Sequence, residues 1–241
     1  MKDLKALETC EGLIGTLNQM GYMLINPEEY NQAFIDFASA VKEPCLEIGA
    51  AYGVATLPAL ARGAYMTAND LSEEHLDILK SKVQACDLQR LILKSGRLPE
   101  SLNFENESFT GILCSRVLHF IQPTLLQESV NQIFKWLKKG GKFFVLVSSP
   151  YIGIYKDYLP IYQKKKREGE RWPGLLYNIQ DYVPYLAKNL PEFINFFDQD
   201  ELLDLLKTAG FMIEKVGYSP IDPNNLHTDG REHVGAIAIK P

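Results

Sequence analysis

The sequence predicts an α/β fold built on a doubly wound, mostly parallel sheet of seven strands. Short apolar segments alternate with helical patterns, which is typical of a parallel sheet with helices on both faces. A glycine-containing turn follows the first predicted strand of this sheet, and a carboxylate ends the second. The last two apolar segments are joined by a polar loop without room for a crossover helix, which predicts a C-terminal antiparallel hairpin strand.

The elements are expected in the following order along one domain spanning residues 1–241. An N-terminal helical region over residues 1–43 contains an amphipathic helix at residues 4–20 and a second helix starting near Pro27, with Phe34 and Ala38 facing the sheet. Five parallel strands and then the hairpin follow, at residues 45–48, 65–69, 91–94, 111–115, 142–148, 212–218 and 234–239.

The turn after the first sheet strand has the chemistry of a nucleoside pocket. Residues 44–53 read Pro-Cys-Leu-Glu-Ile-Gly-Ala-Ala-Tyr-Gly. Gly49 and Gly53 can adopt positive φ and bring backbone amides close to a ligand. Asp70, at the end of the second strand, lies where an acid accepts hydrogen bonds from both ribose hydroxyls. The alternative is that the glycines only form a turn and that Asp70 only caps the helix that follows.

Two residues of this turn favour S-adenosylmethionine over a dinucleotide. A dinucleotide-binding turn requires glycine at the position of Ala51, because a β-carbon obstructs the pyrophosphate. A carboxylate at Glu47 would also repel phosphates. S-adenosylmethionine has no phosphate and carries a cationic sulfonium and amino group, which suit that carboxylate.

At these positions the chain resembles the class I S-adenosylmethionine-dependent methyltransferases, whose turn reads acid-x-Gly-x-Gly-x-Gly. Ala51 replaces the middle glycine. The resemblance continues at residues 108–119, 136–147 and 200–211, and it covers most of residues 41–240 except 151–197. It implies a Rossmann-like methyltransferase fold, with the cofactor bound by Glu47, Gly49, Ala50, Ala51, Gly53, Asp70, Leu71, Gly96, Arg97 and Ser115.

The chain departs from the family pattern at two further positions. Arg97 stands where the family often has an aspartate that holds the adenine amino group. Thr110 stands where the family commonly has an aspartate before the fourth parallel strand. Because of these departures, the alternative that the protein binds the cofactor without catalysing methyl transfer remains.

Residues 149–197 form an insertion rich in tyrosine and punctuated by prolines. It leaves the carboxyl end of the fifth parallel strand, the edge at which open α/β sheets bind ligands. We expect a helical lid over the methyl acceptor. The alternative is an ordinary helical insertion whose aromatic side chains pack on one another.

Methyl transfer requires alignment and water exclusion more than a fixed catalytic group. His119, just past the fourth parallel strand, is a candidate base, although a histidine there can equally be structural. Tyr151 and Tyr155 are weaker candidates. The other histidines do not cluster in sequence with metal-ligand residue types, so we expect no metal.

Composition limits the classes of function. The net charge of −5 argues against nucleic acid as the main partner. There is no apolar stretch of bilayer length and no signal-type start, so we expect a cytoplasmic protein without membrane contact. The 4 cysteines have no metal or redox spacing, and Cys45 and Cys114 are expected in the core.

The sequence therefore predicts an enzyme that transfers a methyl group from S-adenosylmethionine to an oxygen, nitrogen or carbon atom of a small molecule. A cofactor-binding module without activity, a protein methyltransferase and, less favoured, a nicotinamide oxidoreductase are the alternatives. The sequence does not indicate which molecule accepts the methyl group, and it does not indicate an oligomeric state.

Overall fold

The structure, a computed structural model, describes residues 13–221 and 229–241. Its strands are β1 (Leu13–Gly15), β2 (Tyr22–Leu24), β3 (Pro44–Ile48), β4 (Tyr65–Asp70), β5 (Leu91–Ser95), β6 (Phe109–Ser115), β7 (Leu137–Ser148), β8 (Leu175–Tyr177), β9 (Phe193–Asn195), β10 (Met212–Ser219) and β11 (His233–Ile239). Its helices are α1 (Glu29–Val41), α2 (Thr56–Ala61), α3 (Glu73–Ser81), α4 (Pro123–Trp136), α5 (Leu159–Arg167) and α6 (Gln199–Thr208).

A seven-stranded sheet in the order β10-β11-β7-β6-β3-β4-β5 forms the centre of the molecule. The pairs from β7 to β5 are parallel, whereas β11 is antiparallel to both β7 and β10. The predicted fold class, including the C-terminal hairpin strand, is confirmed.

Alternating residues of each strand divide the core between the two faces of the sheet. Phe143, Val145 and Val147 of β7 pack with α4 and α6 in one cluster, and Phe144 and Leu146 pack with α1 in the other. The predicted packing of the second helix on the sheet is confirmed, because Phe34 and Ala38 are fully buried in that second cluster. Cys45 and Cys114 are buried core residues, as predicted.

The predicted helix at residues 4–20 is wrong where the structure describes it, since residues 13–15 form β1 and pair with β2. A turn joins these strands, in which the amide of Thr16 donates to the carbonyl of Gly21 at 3.0 Å. In the described part, Leu13 pairs with Leu24 and Ile14 with Met23 of β2 instead. The remainder of the predicted helix, residues 4–12, lies outside the described residues.

The insertion, residues 149–197, contains one α-helix, α5, three short 3-10 helices and the two-stranded sheet of β8 and β9. It is therefore less helical than expected, because Pro173, Pro184 and Pro191 interrupt the chain after α5. Its aromatic side chains share a core of their own, in which Tyr158 packs against the rings of Tyr182 and Phe196.

Asp198, at the start of α6, attaches the insertion to the main sheet. Its carboxylate accepts hydrogen bonds from Tyr151 (2.9 Å), Tyr162 (3.2 Å) and Lys166 (3.0 Å) of the insertion and from Tyr218 of β10. Burial alone would raise the pKa of Asp198, but these donors outweigh burial and hold the pKa at about 2. The carboxylate therefore stays ionised and keeps both elements in place.

Glu47, at the end of β3, holds the start of α2. One of its oxygens accepts from the backbone amide of Thr56 at 2.9 Å and from the Thr56 hydroxyl at 2.5 Å. Burial raises the pKa of Glu47 to about 7, because removal from water outweighs the hydrogen bonds that favour the charged form.

Gly235 and Gly217 lie opposite each other on β11 and β10 and provide a matched test of packing beneath α1. A β-carbon on Gly235 would overlap the ring of the buried Tyr30, whereas one on Gly217 would lie 3.5 Å from the Tyr30 hydroxyl oxygen. We expect Gly235→Ala to lower the free energy of unfolding by about 1–3 kcal/mol through overpacking, and Gly217→Ala to change it by less than about 0.5 kcal/mol. Urea denaturation measures both values, and equal effects would contradict this packing.

The raised pKa of Glu47 predicts a pH-dependent loss of stability. The unfolded chain releases this proton near 4.5, whereas the folded chain keeps it until about 7. The free energy of unfolding should therefore fall between these pH values, by roughly 3 kcal/mol relative to Glu47→Gln. Urea denaturation of both proteins across that range, with Glu100→Gln as an exposed control, measures the difference. Parallel pH profiles of wild type and Glu47→Gln would refute it.

Candidate functional site

A cavity of about 240 Å³ opens at the carboxyl ends of the parallel strands. Its walls come from the turn after β3, the ends of β4, β5 and β6, the segment 16–23 and the insertion. This is the edge at which open α/β sheets bind ligands.

The turn after β3 has the left-handed backbone that its sequence predicts. Gly49 has a φ of 75°, and a β-carbon there would overlap the side chain of Val117. Ala51 has a φ of 43°, a conformation that costs a residue with a β-carbon energy and explains why glycine is common in such turns. Gly49 and Ala51 both line the cavity.

Asp70 joins this turn to the helix that follows β4. One carboxylate oxygen accepts from the amide of Ala51 at 2.8 Å. The other accepts from the amide of Ser72 and from Nδ1 of His75, each at 2.9 Å. Asp70 thus has the capping contacts of the structural alternative, and it also lines the cavity.

His75 is a site residue that sequence reasoning missed. Its Nδ1 faces the Asp70 carboxylate, and its Nε2 accepts from the amide of Leu17 at 3.1 Å. The ring proton therefore lies on Nδ1. The hydroxyl of Tyr52 also accepts from the Leu17 amide, so two side chains hold the segment 16–23 against the cavity. The position of His75 in the first turn of α3 gave no sequence signal for its contact with Leu17.

The predicted cofactor residues divide into two groups. Gly49, Ala51, Asp70, Leu71, Gly96, Arg97 and Ser115 line the cavity. Glu47, Ala50 and Gly53 do not: Glu47 is directed at α2, Ala50 is buried in a core cluster, and a β-carbon on Gly53 would crowd two leucine side chains. These three residues shape the turn from behind.

The two positions that depart from the family pattern lie in different places. Arg97 is exposed at the cavity wall, beside Gly96. Thr110 lies near the start of β6, where its hydroxyl donates to Glu43 at 2.6 Å. Of these two positions, only Arg97 therefore lies at the cavity.

Of the predicted catalytic candidates, two line the cavity and one does not. His119 is buried and lines the cavity, and its Nδ1 accepts from the amide of Ser148 at 3.0 Å. The structure does not bring Tyr151 to the cavity, because its hydroxyl is bonded to Asp198 and its ring lies 4.0 Å from the guanidinium of Arg231. Tyr155 lines the cavity in its place.

A polar cluster that the sequence did not indicate lines the cavity at the end of β6 and the start of β11, whereas Asp70 ends β4. Arg116 and His233 line the cavity there together with His119. Glu28, just before α1, lies behind them, 2.6 Å from Nδ1 of His233 and 3.6 Å from the guanidinium of Arg116. These residues are far apart in sequence, so local patterns could not have grouped them.

The lining fits S-adenosylmethionine. The Asp70 carboxylate suits a ribose diol, and Leu71 and Leu98 provide apolar walls for an adenine ring. Among the described residues there is no cluster of three metal-ligating side chains, and no helix is long and apolar enough to span a membrane.

Comparison with known proteins agrees with this geometry. Residues 45–141 match the family model described as a methyltransferase domain. No curated protein sequence matches the chain significantly.

Solved structures share the fold over most of the chain. An S-adenosylmethionine-dependent methyltransferase from Methanosarcina mazei is 18% identical with a TM-score of 0.65, covering 86% of this chain and 96% of its own. One from Mesorhizobium loti is 17% identical with a TM-score of 0.62 and the same coverage of 86% and 96%. The glycopeptide N-methyltransferase MtfA, complexed with S-adenosylmethionine, is 16% identical with a TM-score of 0.58, covering 88% and 87%. The match over residues 45–141 and the shared fold thus make the chain similar to S-adenosylmethionine-dependent methyltransferases.

Proposed function

We propose that the enzyme methylates a small molecule with a largely apolar body. The observation that carries this proposal is the continuity of the cavity, which runs from Asp70 and the glycine turn into a chamber walled by the insertion. Ile152, Tyr155, Leu190 and Ile194 supply much of that wall. A cofactor site and an apolar acceptor site would therefore share one enclosed space.

The cofactor would lie across the ends of β3 and β4. Asp70 would bind the ribose hydroxyls, Leu71 and Leu98 would flank the adenine, and Arg97 would lie at the outer edge of that pocket. Bound S-adenosylmethionine supplies a methyl group already activated on sulfur. The protein has to align the acceptor with that methyl group and exclude water.

The acceptor chamber is covered from two sides, which supports a small molecule over a protein side chain. The segment 16–23 covers one side and is held by His75 and Tyr52. The insertion covers the other and is held through Asp198. We therefore propose that the insertion acts as the lid expected from the sequence. A polypeptide acceptor would have to displace one of these covers.

Asp70→Ala tests the cofactor site. Loss of hydrogen bonds between a charged group and the ribose should weaken S-adenosylmethionine binding by about 1.5–3 kcal/mol, measured by calorimetric titration. Asp77→Ala, an exposed aspartate on α3, is the matched control and should leave the dissociation constant unchanged. Urea denaturation checks that both variants fold.

Two results would contradict the proposed cofactor site. A folded Asp70→Ala variant with wild-type affinity would restrict Asp70 to its internal bonds. Binding of a nicotinamide dinucleotide in place of S-adenosylmethionine would favour the oxidoreductase alternative.

Ile154→Arg tests the lid. Ile154 lines the cavity and is 44% exposed, whereas Ile161 on α5 is 42% exposed and does not line it. A charged side chain at position 154 should lower S-adenosylhomocysteine formation with a panel of apolar acceptors at least about tenfold, since a charge in the cavity wall makes it costly for an apolar acceptor to exclude water there. Cofactor affinity should not change. Ile161→Arg should behave as wild type, and equal activity of the two variants would contradict the lid.

A further inference from the structure

The part of the acceptor chamber at the end of β6 and the start of β11 concentrates ionisable side chains in an otherwise apolar space. Arg116, His119 and His233 reach its surface, and Glu28 lies directly behind them. Groups of this kind are costly to bury unless they are paired or used. Which atoms of these side chains can still donate or accept a hydrogen bond determines which ligand groups the chamber can bind.

His233 presents a hydrogen-bond acceptor. It is the first residue of β11, and both it and Glu28 are buried. Its Nδ1 lies 2.6 Å from a carboxylate oxygen of Glu28, so the ring proton is on Nδ1 and donates to that oxygen. In the neutral ring, Nε2 then carries a lone pair. A carboxylate behind a histidine also stabilises the imidazolium that forms when Nε2 takes a proton.

Arg116 presents hydrogen-bond donors. Its φ of 57° is strained for a residue with a β-carbon, and it directs the side chain from the tip of β6 into the cavity wall. The side chain is 18% exposed, and its guanidinium lies 3.6 Å from the Glu28 carboxylate. That separation exceeds a hydrogen bond, and the guanidinium donates none to the residues the structure describes.

His119 presents one donor. Its Nδ1 accepts from the Ser148 amide, which leaves the ring proton on Nε2. Burial, together with the nearby His233 and Arg116, lowers the pKa of His119 well below its ordinary value. The ring is therefore neutral and is suited to donate rather than to act as a base.

The charges of Glu28 and Arg116 limit which chemical group of an acceptor can bind beside them. Glu28 and Arg116 balance each other, and Glu232, next to His233, accepts hydrogen bonds from the amides of Gly230 and Ile221. A carboxylate ligand would add a second negative charge beside Glu28, and an ammonium ligand would face Arg116. A neutral hydroxyl matches the cluster, because it donates to Nε2 of His233 and accepts from His119 or Arg116.

Building on the proposed function, we propose that the acceptor is a phenol or enol and that His233 is the general base that takes its hydroxyl proton. Glu28 is a positioning residue that orients His233, and Arg116 stabilises the oxyanion. As the proton passes to Nε2, the oxygen forms the new C–O bond to the methyl carbon, and the electron pair of the breaking C–S bond stays on sulfur. The products are a methyl ether, S-adenosylhomocysteine and an imidazolium that releases its proton to solvent.

A histidine acts as base most effectively towards an acidic hydroxyl, which favours a phenol or enol over an aliphatic alcohol. The apolar walls suit a flat ring. The oxyanion would form beside a desolvated guanidinium, where electrostatic stabilisation is strongest.

The test uses 4-nitrophenol, whose phenolate absorbs visible light, bound to protein saturated with S-adenosylhomocysteine. Wild type should bind the probe with a larger phenolate fraction than free solution shows at the same pH. His233→Asn keeps a donor for Glu28 but has no group at the position of Nε2. It should reduce that excess phenolate at least fivefold, and Glu28→Gln should reduce it too. Glu29→Gln, an exposed neighbour, should match wild type.

A probe without the hydroxyl proton, 4-nitroanisole, separates binding from ionisation and should bind wild type and His233→Asn equally. Equal phenolate fractions in wild type and His233→Asn would overturn the role of His233, and failure of the loaded protein to bind 4-nitrophenol would overturn the phenolic acceptor. Loss of S-adenosylhomocysteine binding by wild type, measured by calorimetry, would instead refute the proposed function. Weaker S-adenosylhomocysteine binding by Arg116→Gln, with unchanged binding of methylthioadenosine, would assign Arg116 to the cofactor carboxylate and overturn its role here.

Discussion

The carboxylate of Asp70 joins the segments that enclose the cofactor end of the cavity. It accepts hydrogen bonds from the turn after β3 through Ala51 and from the start of α3 through Ser72 and His75. His75 extends this connection to Leu17 in the segment that covers the cavity. A buried carboxylate is stable only when its oxygens are satisfied, so each of these partners is fixed in position. This end of the cavity is therefore organised by internal hydrogen bonds, and the residue proposed to bind ribose also sets the shape around it.

The mixed sheet explains why the polar cluster lies where it does. Parallel strands all end at the cavity edge, whereas an antiparallel strand begins there. His233, the first residue of β11, consequently lies opposite Ser148, the last residue of β7. Ser148 in turn donates its amide to His119. The antiparallel direction of the C-terminal hairpin thus brings His233 to the cavity.

The sequence predicted those features that depend on local patterns. Apolar runs predicted the strands, and the glycine turn and Asp70, which were predicted as site residues, line the cavity. Tyr151 was a candidate only because of its place in the chain, and its contact with Asp198 depends on tertiary packing. The strand β1 was missed for a similar reason, since it depends on pairing with β2 and on a hydrogen bond from the Tyr52 hydroxyl to the carbonyl of Gly15, a distant contact in the sequence. Glu28, Arg116 and His233 are too far apart in the sequence for a local pattern to group them.

The cluster at the acceptor end is difficult to explain by stability alone. Apolar residues of similar size would fill this space at lower cost, because burying an ion pair rarely improves stability over good apolar packing. The strained backbone of Arg116 adds to that cost. Energetic costs of this kind concentrate at functional sites, where strain and perturbed ionisation are retained for binding or chemistry. In the proposed reaction, the cluster offers an opposite charge to each product of the proton transfer: Glu28 to the imidazolium of His233, and Arg116 to an oxyanion.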